Sequence, residues 1–554
     1  MLKLEAMSKW YQRWRDLSRY INPKRGFFEG YVPNYNAQID YRLIIDDNPA
    51  AYARILAAGM QSGLTSPALP WFKSGLGNPE LEAVEENKLW LSDVDKVLFD
   101  IFGRSNFYDC THQTYEEIGL FGTGSFGMFE DYKTVIRCRS HTIGEYYLSI
   151  DQHGRVNGFA RQFWMTADQM VNEFGWKNVS VMVQNTYRAN NRDQFFLVYT
   201  MCEENSTRIS NNSSFRGMEY RSVTWEAQGA FNKVLRVRGY REFPYMCPRW
   251  DTTTTADVYG IGPGWYALGN IKMLYRMQKD SLLAINKVAD PPVQVDASVE
   301  GNANMLPGGV TRSNALGVPN AGVRPAYQVQ PDIKAIEAKI DATDRKIASR
   351  FYADLFLMMI NSTDSDKTAR EIVERHEEKL FMLGPVIGRV KSDMLDPAYA
   401  RAFAIASRAG LIRPAPRGIQ GMQITPVYIS ILAQAQKMVG TASIENEMAF
   451  AGAVIARFPE AADVINPDEA IREHASLVGA PPKMINSPDA VAQKRAARAQ
   501  MAADAQAKED AAALAEGAKT LSETTVGGGN ALGHILGVGG HQPGVGQPTP
   551  GGTA

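Results

Sequence analysis

Cysteine is scarce in this chain. Cys110, Cys138, Cys202 and Cys247 are the four among 554 residues, and no pair has the C-x-x-C spacing of a zinc or redox motif. They read as reduced core residues. A dominant charge is missing too, because 59 Lys and Arg stand against 60 Asp and Glu for a formal net charge of -1. No chain-wide basic footprint signals tight nucleic-acid binding, so any contact with DNA is expected to be weak or local. No run approaches the roughly 20 apolar residues that span a bilayer, and Met1-Leu-Lys-Leu-Glu-Ala-Met-Ser-Lys-Trp10 has no apolar signal core. Synthesis in a cytoplasm, without host-membrane contact, is the expectation. Asn205-Ser-Thr207 and Asn361-Ser-Thr363 are then chance matches to a glycosylation sequon.

The strong catalytic signatures are also absent. No G-x-x-x-x-G-K-[ST] loop occurs, and Gly517-Ala-Lys-Thr520 is a fragment without the first glycine. His376-Glu377-Glu378 lacks the second histidine of a zinc helix. Asp364 and Asp366 sit in a polar turn before a helix, where aspartates usually act as caps. Ser125 lies among glycines but not in a G-x-S-x-G elbow. No catalytic residue, cofactor or metal is expected, and a structural role is favoured.

One motif does invite a nucleotide. Gly122, Gly124 and Gly127 have the spacing G-x-G-x-x-G, which cradles a pyrophosphate when a strand precedes it and a helix follows. Here the order is reversed. Tyr108–Ile118 has helical amphipathicity, whereas Phe126–Tyr132 and Thr134–Arg139 read as strands. A helix C-cap and turn is the preferred reading, with a nucleotide-binding enzyme as the least favoured alternative.

The remaining 45% apolar composition is ordinary for globular protein, and the length is enough for several domains. Trp10, Trp14, Leu17 and Ile21 mark one buried helical face. Asp47–Leu64 has a capping start, an early proline and small residues that permit close packing. From about Val135 to Tyr245 short strands predominate, with one helix starting near Thr166 and an exposed loop over Asn205–Phe215. A long helix over 264–289 follows, with Leu268, Ile271, Leu274, Met277, Leu282, Ile285 and Val288 available for one face. Residues 291–330 are rich in Gly, Pro, Asn and Val. Ile333, Ile336, Ile340, Ile347, Phe351 and Leu355 then form a second stripe, and a rod of about 25 residues is roughly 38 Å long. Further helices are expected over Thr368–Ala409, strained at Pro385 and Pro397, over Pro426–Phe458 and Asp468–Val478, and over alanine-rich Asp489–Gly517. Beyond Gly527 the glycine-rich sequence has too little apolar content to order itself.

Asn48–Phe72, Tyr259–Asp290 and Thr368–Gly410, with Ile429-Ser-Ile-Leu-Ala-Gln-Ala-Gln-Lys437, together resemble the portal, or head-to-tail connecting, proteins of short-tailed bacteriophages. The likeness spans roughly residues 10–440 and fades in 291–330 and beyond about 460. It implies an α+β portal fold: a helical and β-rich wing (1–262), stem helices (263–289 and 331–357) and a clip (290–330). A channel loop (358–367), a wing helix and return segment (368–440), a helical crown (441–517) and a disordered tail (518–554) complete it. It further implies a ring, usually dodecameric, in the virion at one capsid vertex. The implied partners are the major capsid protein, terminase, a tail adaptor, scaffold or internal head proteins and double-stranded DNA. In the channel loop Asn361, Ser362, Thr363 and Ser365, with Lys367 nearby, are the candidates for weak, sequence-independent DNA contact. A scaffold or tail adaptor without a channel is the alternative.

Overall fold

The computed structural model describes residues 1–28, 42–209, 214–227, 234–297, 299–305, 311–314, 322–325, 332–361, 382–429, 441–458, 460, 464, 466–478, 486, 488–523, 525–526 and 529–530. They fall into two compact units, Met1–Asn466 and Pro467–Ala554.

The first unit begins with helices α1 (Leu2–Lys9) and α2 (Tyr11–Tyr20), and Trp14, Leu17 and Ile21 are buried as their spacing predicts. Helix α3 (Asn48–Leu64) packs on α6 (Phe107–Phe121), and its small residues do allow close approach. A Cβ on Gly59 would lie 2.1 Å from the Phe356 ring, and one on Gly119 would lie 2.7 Å from Leu56. Asp47 does not cap α3; the Asp46 carboxylate instead accepts from the Asn48 N–H at 2.8 Å.

Strand β1 (Phe72–Gly75) leads through the short helix α4 (Pro79–Ala83) to α5 (Glu85–Arg104). Trp71 and Phe72 anchor an aromatic cluster: Phe72 stacks on Phe99 at 4.3 Å and meets Tyr399 edge-on at 5.3 Å, while Trp71 stacks on Tyr428. That cluster corrects the helix expected from Pro426. Residues Thr425–Tyr428 are a strand antiparallel to β1, with Phe72 opposite Tyr428, because pairing to β1 satisfies their backbone and seats Tyr428 on Trp71. Residues 430–440 lie outside the described residues, and a helix resumes at Thr441–Ile455.

The strand-rich region forms two antiparallel sheets. Strands β2 (Ser125–Asp131), β3 (Val135–His141) and β9 (Tyr245–Met246) are ordered β3-β2-β9. Strands β4 (Tyr146–Ile150), β5 (Val156–Thr166), β6 (Phe195–Glu204), β7 (Tyr220–Glu226) and β8 (Val234–Tyr240) follow one another in chain order across the second sheet. Helix α7 (Ala167–Phe174) starts at Thr166 with a capping box closed by Gln169. A second helix, α8 (Val181–Arg188), was not expected; Ser180 caps it by accepting from the Val183 N–H. Met170, Phe174, Val179 and Val183 from this helical excursion form a small separate core against Phe196 and Val198.

Two long helices then pack together, α9 (Pro263–Ala289) and α10 (Ile333–Arg350). Between them Val293–Val295 pairs with Val323–Pro325 as a two-stranded ribbon. The second helix is shorter than the 331–357 segment expected. It stops at Phe351 and Tyr352, which takes φ +55°, and a separate helix, α11 (Ala353–Asn361), follows. A left-handed residue cannot continue a right-handed helix.

Of the helix expected over Thr368–Ala409, residues 368–381 lie outside the described residues. From 382 to 408 it is helical, widened to a π turn over Lys391–Leu395 just before Pro397. The proline ring would collide with the carbonyl four residues back, at Asp393, and the π turn relieves that clash.

The second unit contains helices Pro467–Val478 and Pro488–Glu523, tied by Arg495 to Asp468 at 2.7 Å. The latter runs past the expected end at Gly517, and Thr525–Val526 pairs with Gly529–Asn530, so the boundary of the expected disordered tail at 518 is set too early. Residues 531–554 lie outside the described residues. Among the described residues, no helix is long and apolar enough to cross a membrane.

Candidate functional site

The glycine motif ends a helix and opens a strand, the reverse of a nucleotide turn. Gly122 is the left-handed C-cap of α6 at φ +84°, its N–H reaching Ile118 O at 3.0 Å. The Gly122 carbonyl accepts from the Trp250 N–H at 2.8 Å, and the Gly124 N–H donates to Pro248 O at 3.1 Å. Where a phosphate would need open backbone amides, the backbone of Gly260-Ile-Gly-Pro-Gly264 fills the space. A Cβ on Gly122 would lie 2.4 Å from Gly260 O; one on Gly262 would lie 2.5 Å from Ile118 O; one on Gly264 would lie 2.4 Å from Leu120 O. Gly124 and Gly127 are closed off by Thr114 and by the Phe129 ring.

This joint sets the direction in which α9 leaves the body. Its first turn lies against the last turn of α6, whose final carbonyls lack helical partners. The Trp265 indole N–H donates to Phe121 O at 2.9 Å, and the Gly260 N–H donates to Thr123 Oγ1 at 2.8 Å. Two turns further along, Lys272 pairs with Asp16 at 2.7 Å over the Tyr20 ring. The Tyr275 hydroxyl then meets the carbonyls of Tyr20 and Asp46 at 2.9 and 2.8 Å. On α10, Asp344 accepts from the Tyr52 hydroxyl at 2.7 Å; burial, then Asp344 itself, push the Tyr52 pKa up.

Beyond Ser281 helix α9 presents its apolar side chains to solvent. Ile271, Leu274 and Tyr275 are buried, but Leu282, Leu283, Ile285 and Val288 are exposed by 57%, 48%, 39% and 50%. The single apolar face expected along this helix is thus two faces in series, one used within the subunit and one left open.

Two buried arginines, both missed in the sequence, lock the body beneath the helices. Arg249 donates from Nε to Asp393 in the π turn at 3.1 Å, from Nη1 to Asp257 O at 3.1 Å and from Nη2 to Gly154 O at 2.8 Å. Arg401 is fully buried and donates to Met128 O and to Glu242.

Of the expected channel residues, Asn361 is the last residue of α11; Ser362, Thr363, Ser365 and Lys367 lie outside the described residues, as do Asp364, Asp366 and His376. Ser125 is buried in β2 beside Cys247. The four cysteines are buried free thiols, and burial raises the pKa of each.

Residues 3–485 match the family model described as bacteriophage head to tail connecting protein. The chain belongs to that family. It is 36% identical over 516 residues to a "Probable portal protein" of Bordetella phage BPP-1, covering 93% of this chain and 92% of the relative. It is 36% identical over 521 residues to the "Portal protein" of Salmonella phage epsilon15, covering 94% and 93%. Among solved structures it aligns with a chain from the neck of an empty gene transfer agent particle, at 13% identity and a TM-score of 0.36, covering 79% of this chain and 95% of that one. A chain from the native gene transfer agent virion aligns at 14% identity and a TM-score of 0.31, covering 78% and 99%. As a head-to-tail connecting protein, the chain is a virion component of the portal ring at the capsid vertex, serving DNA packaging and tail attachment.

Proposed function

We propose that α9 and α10 are the stem of each subunit, and that the open end of α9 is covered by a neighbouring copy around a closed ring, dodecameric by the family's habit. The observation that carries this is the run of Leu282, Leu283, Ile285 and Val288, exposed on a helix whose first half is firmly anchored. Exposed apolar side chains grouped on one helical stretch favour association. A repeated head-to-tail contact closes into a ring when its rotation allows.

On this reading residues 1–262 with 368–440 form the wing, 290–330 the clip, 358–367 the channel loop and 441–517 the crown. Asn361, Ser362, Thr363, Ser365 and Lys367 make weak contacts with passing double-stranded DNA. The net charge of -1 suits a conduit, because neutralising many phosphates would hold a duplex that has to slide. The chain acts without catalysis, and its partners are the major capsid protein, the terminase motor, a tail adaptor and scaffold or internal head proteins.

Negative-stain images of the purified full-length protein test the reading directly. Rings with an open axial hole are expected; closed discs or monomers at micromolar concentration would instead support an adaptor or scaffold without a channel.

A further inference from the structure

The five-stranded sheet carries a second feature that the connector function does not use. Strand register places Arg161 opposite Thr200, Thr200 opposite Thr224, and Thr224 opposite Arg236. Side chains at such positions share one face of a sheet. The row therefore reads arginine, threonine, threonine, arginine, with the two hydroxyls 3.0 Å apart. One row over, Ser222 stands opposite Arg238.

This face is not flat against a core. It opens into a cavity of about 180 Å³ between the two sheets, reached also by Arg139 and His141 of β3. Thr224 and Ser222 are buried in its floor, whereas Arg139 and Arg238 are exposed at its mouth.

Charge in the cavity is unbalanced. Among the described residues, Arg161 pairs with Glu145 and Arg236 with Glu173. Arg139 and Arg238 make no ion pair with a described residue, so four guanidiniums face two carboxylates. His141 supplies an independent observation: it is 3% exposed, lines the same cavity, and its Nδ1 has no hydrogen-bond partner. An orphaned ring nitrogen in a buried site is costly unless something occupies the space beside it. Burial, then Arg161 and Arg139, hold the His141 pKa well below its ordinary value.

We propose that this cavity is a binding site for a phosphate-class oxyanion, held by the guanidiniums of Arg161, Arg236, Arg238 and Arg139 over the hydroxyls of Thr200 and Thr224. Guanidiniums supply charge and forked donors, and the hydroxyls add neutral donors at the floor. A tetrahedral dianion matches both the surplus of two positive charges and the donor-rich lining. A carboxylate or chloride would use fewer of these donors.

Calorimetric titration of the full-length assembly with inorganic phosphate and with sulfate, at ionic strength fixed with sodium chloride, tests the site. Both anions are expected to bind saturably and to raise the thermal midpoint above that in chloride alone. In the double variant Arg139→Gln, Arg238→Gln, the affinity should fall at least about tenfold, since each charge-assisted hydrogen bond lost is worth about 1.5–3 kcal/mol and 1.4 kcal/mol is tenfold. Arg104→Gln, on an exposed helix end, should leave binding unchanged. The variant Thr200→Val, Thr224→Val provides a second readout should the arginine variant fail to fold; it too should weaken phosphate binding. No saturable binding by the unaltered protein, or binding equal in all variants, overturns the proposal.

Discussion

Gly122 and Gly260 lie backbone on backbone, each so near the other that a Cβ on either would sit 2.4 Å from the partner's carbonyl oxygen. The contact joins the end of α6 to the approach of α9 across more than a hundred residues, and it leaves no room for the smallest side chain. Gly122 adds a second demand through its φ of +84°. Gly122→Ala combines left-handed strain of about 1–2 kcal/mol with overpacking of about 1–3 kcal/mol. A loss of about 3 kcal/mol is expected, measured by urea unfolding. Gly260→Ala, without the φ penalty, should lose about 1–3 kcal/mol. Gly103, in α5 with nothing within 4 Å of a built Cβ, is the control; Gly103→Ala should be stabilising by up to about 1 kcal/mol.

Arg401 offers a different kind of test. Its side chain is 2% exposed and donates from Nε to Met128 O at 2.8 Å and from Nη1 to both Glu242 O and Glu242 Oε2. Arg401→Met removes the donors and leaves the Met128 carbonyl buried without them. Removing one partner of a buried pair costs about 3–5 kcal/mol. Glu242 is half-buried and keeps Arg408 at 2.8 Å, which places the expected loss near the lower end, about 3 kcal/mol. Arg401→Lys should recover little of it, because an ammonium cannot reproduce the planar fork. Rescue to wild-type stability by lysine would show that charge alone matters there.

Glu117 makes stability depend on pH. It is 1% exposed, accepts from Thr142 Oγ1 at 2.7 Å and from the Ile143 N–H at 3.2 Å, and has Arg25 at 3.6 Å. Burial outweighs Arg25 and pushes its pKa from 4.5 up to about 7. Between those values the folded chain holds a proton that the unfolded chain has released. Stability from this group is therefore present below about 4.5 and lost as pH rises through about 7. The full effect of such a shift is about 3 kcal/mol. Thermal unfolding of Glu117→Gln should show a flatter midpoint-against-pH curve between pH 5 and 8 than the unaltered chain; parallel curves would assign the pH dependence elsewhere.

Local signals revealed part of this molecule and long-range pairing decided the rest. The apolar spacing after Gly264 marked α9, and the start of α7 was legible near Thr166, although its closing partner Gln169 was not. The turn at Gly122 was readable from the helix before it and the strand after it. What the turn touches was not, because Gly260 lies far along the chain. Pro426–Tyr428 stands at the start of an expected helix, and only the partner strand Phe72–Gly75 settles its conformation. The break at Tyr352 was invisible to periodicity: Phe351 and Leu355 are both buried, at helical spacing, on either side of it. Arg401 was indistinguishable from a surface arginine. Arg236 and Arg238 went unread in the sequence, because only strand register places them on one sheet face with the threonines.

The open end of α9 yields the prediction closest to assembly. Leu282, Leu283, Ile285 and Val288 contribute little to the fold of one subunit, since all are exposed there. A charge at such a position costs the isolated subunit within about 0.5 kcal/mol. In the ring proposed above the same charge would be buried against a neighbour at every repeat of the contact, and an unpaired buried charge is strongly unfavourable. Leu282→Asp with Val288→Asp should therefore leave the far-ultraviolet circular dichroism and the monomer's thermal midpoint unchanged while abolishing rings in negative stain and mass photometry. The matched change Lys279→Asp, on the same helix but replacing a residue that is already polar, separates loss of an apolar contact from a general effect of acidic charge. Rings that persist with both apolar positions charged would move the subunit contact away from this helix end.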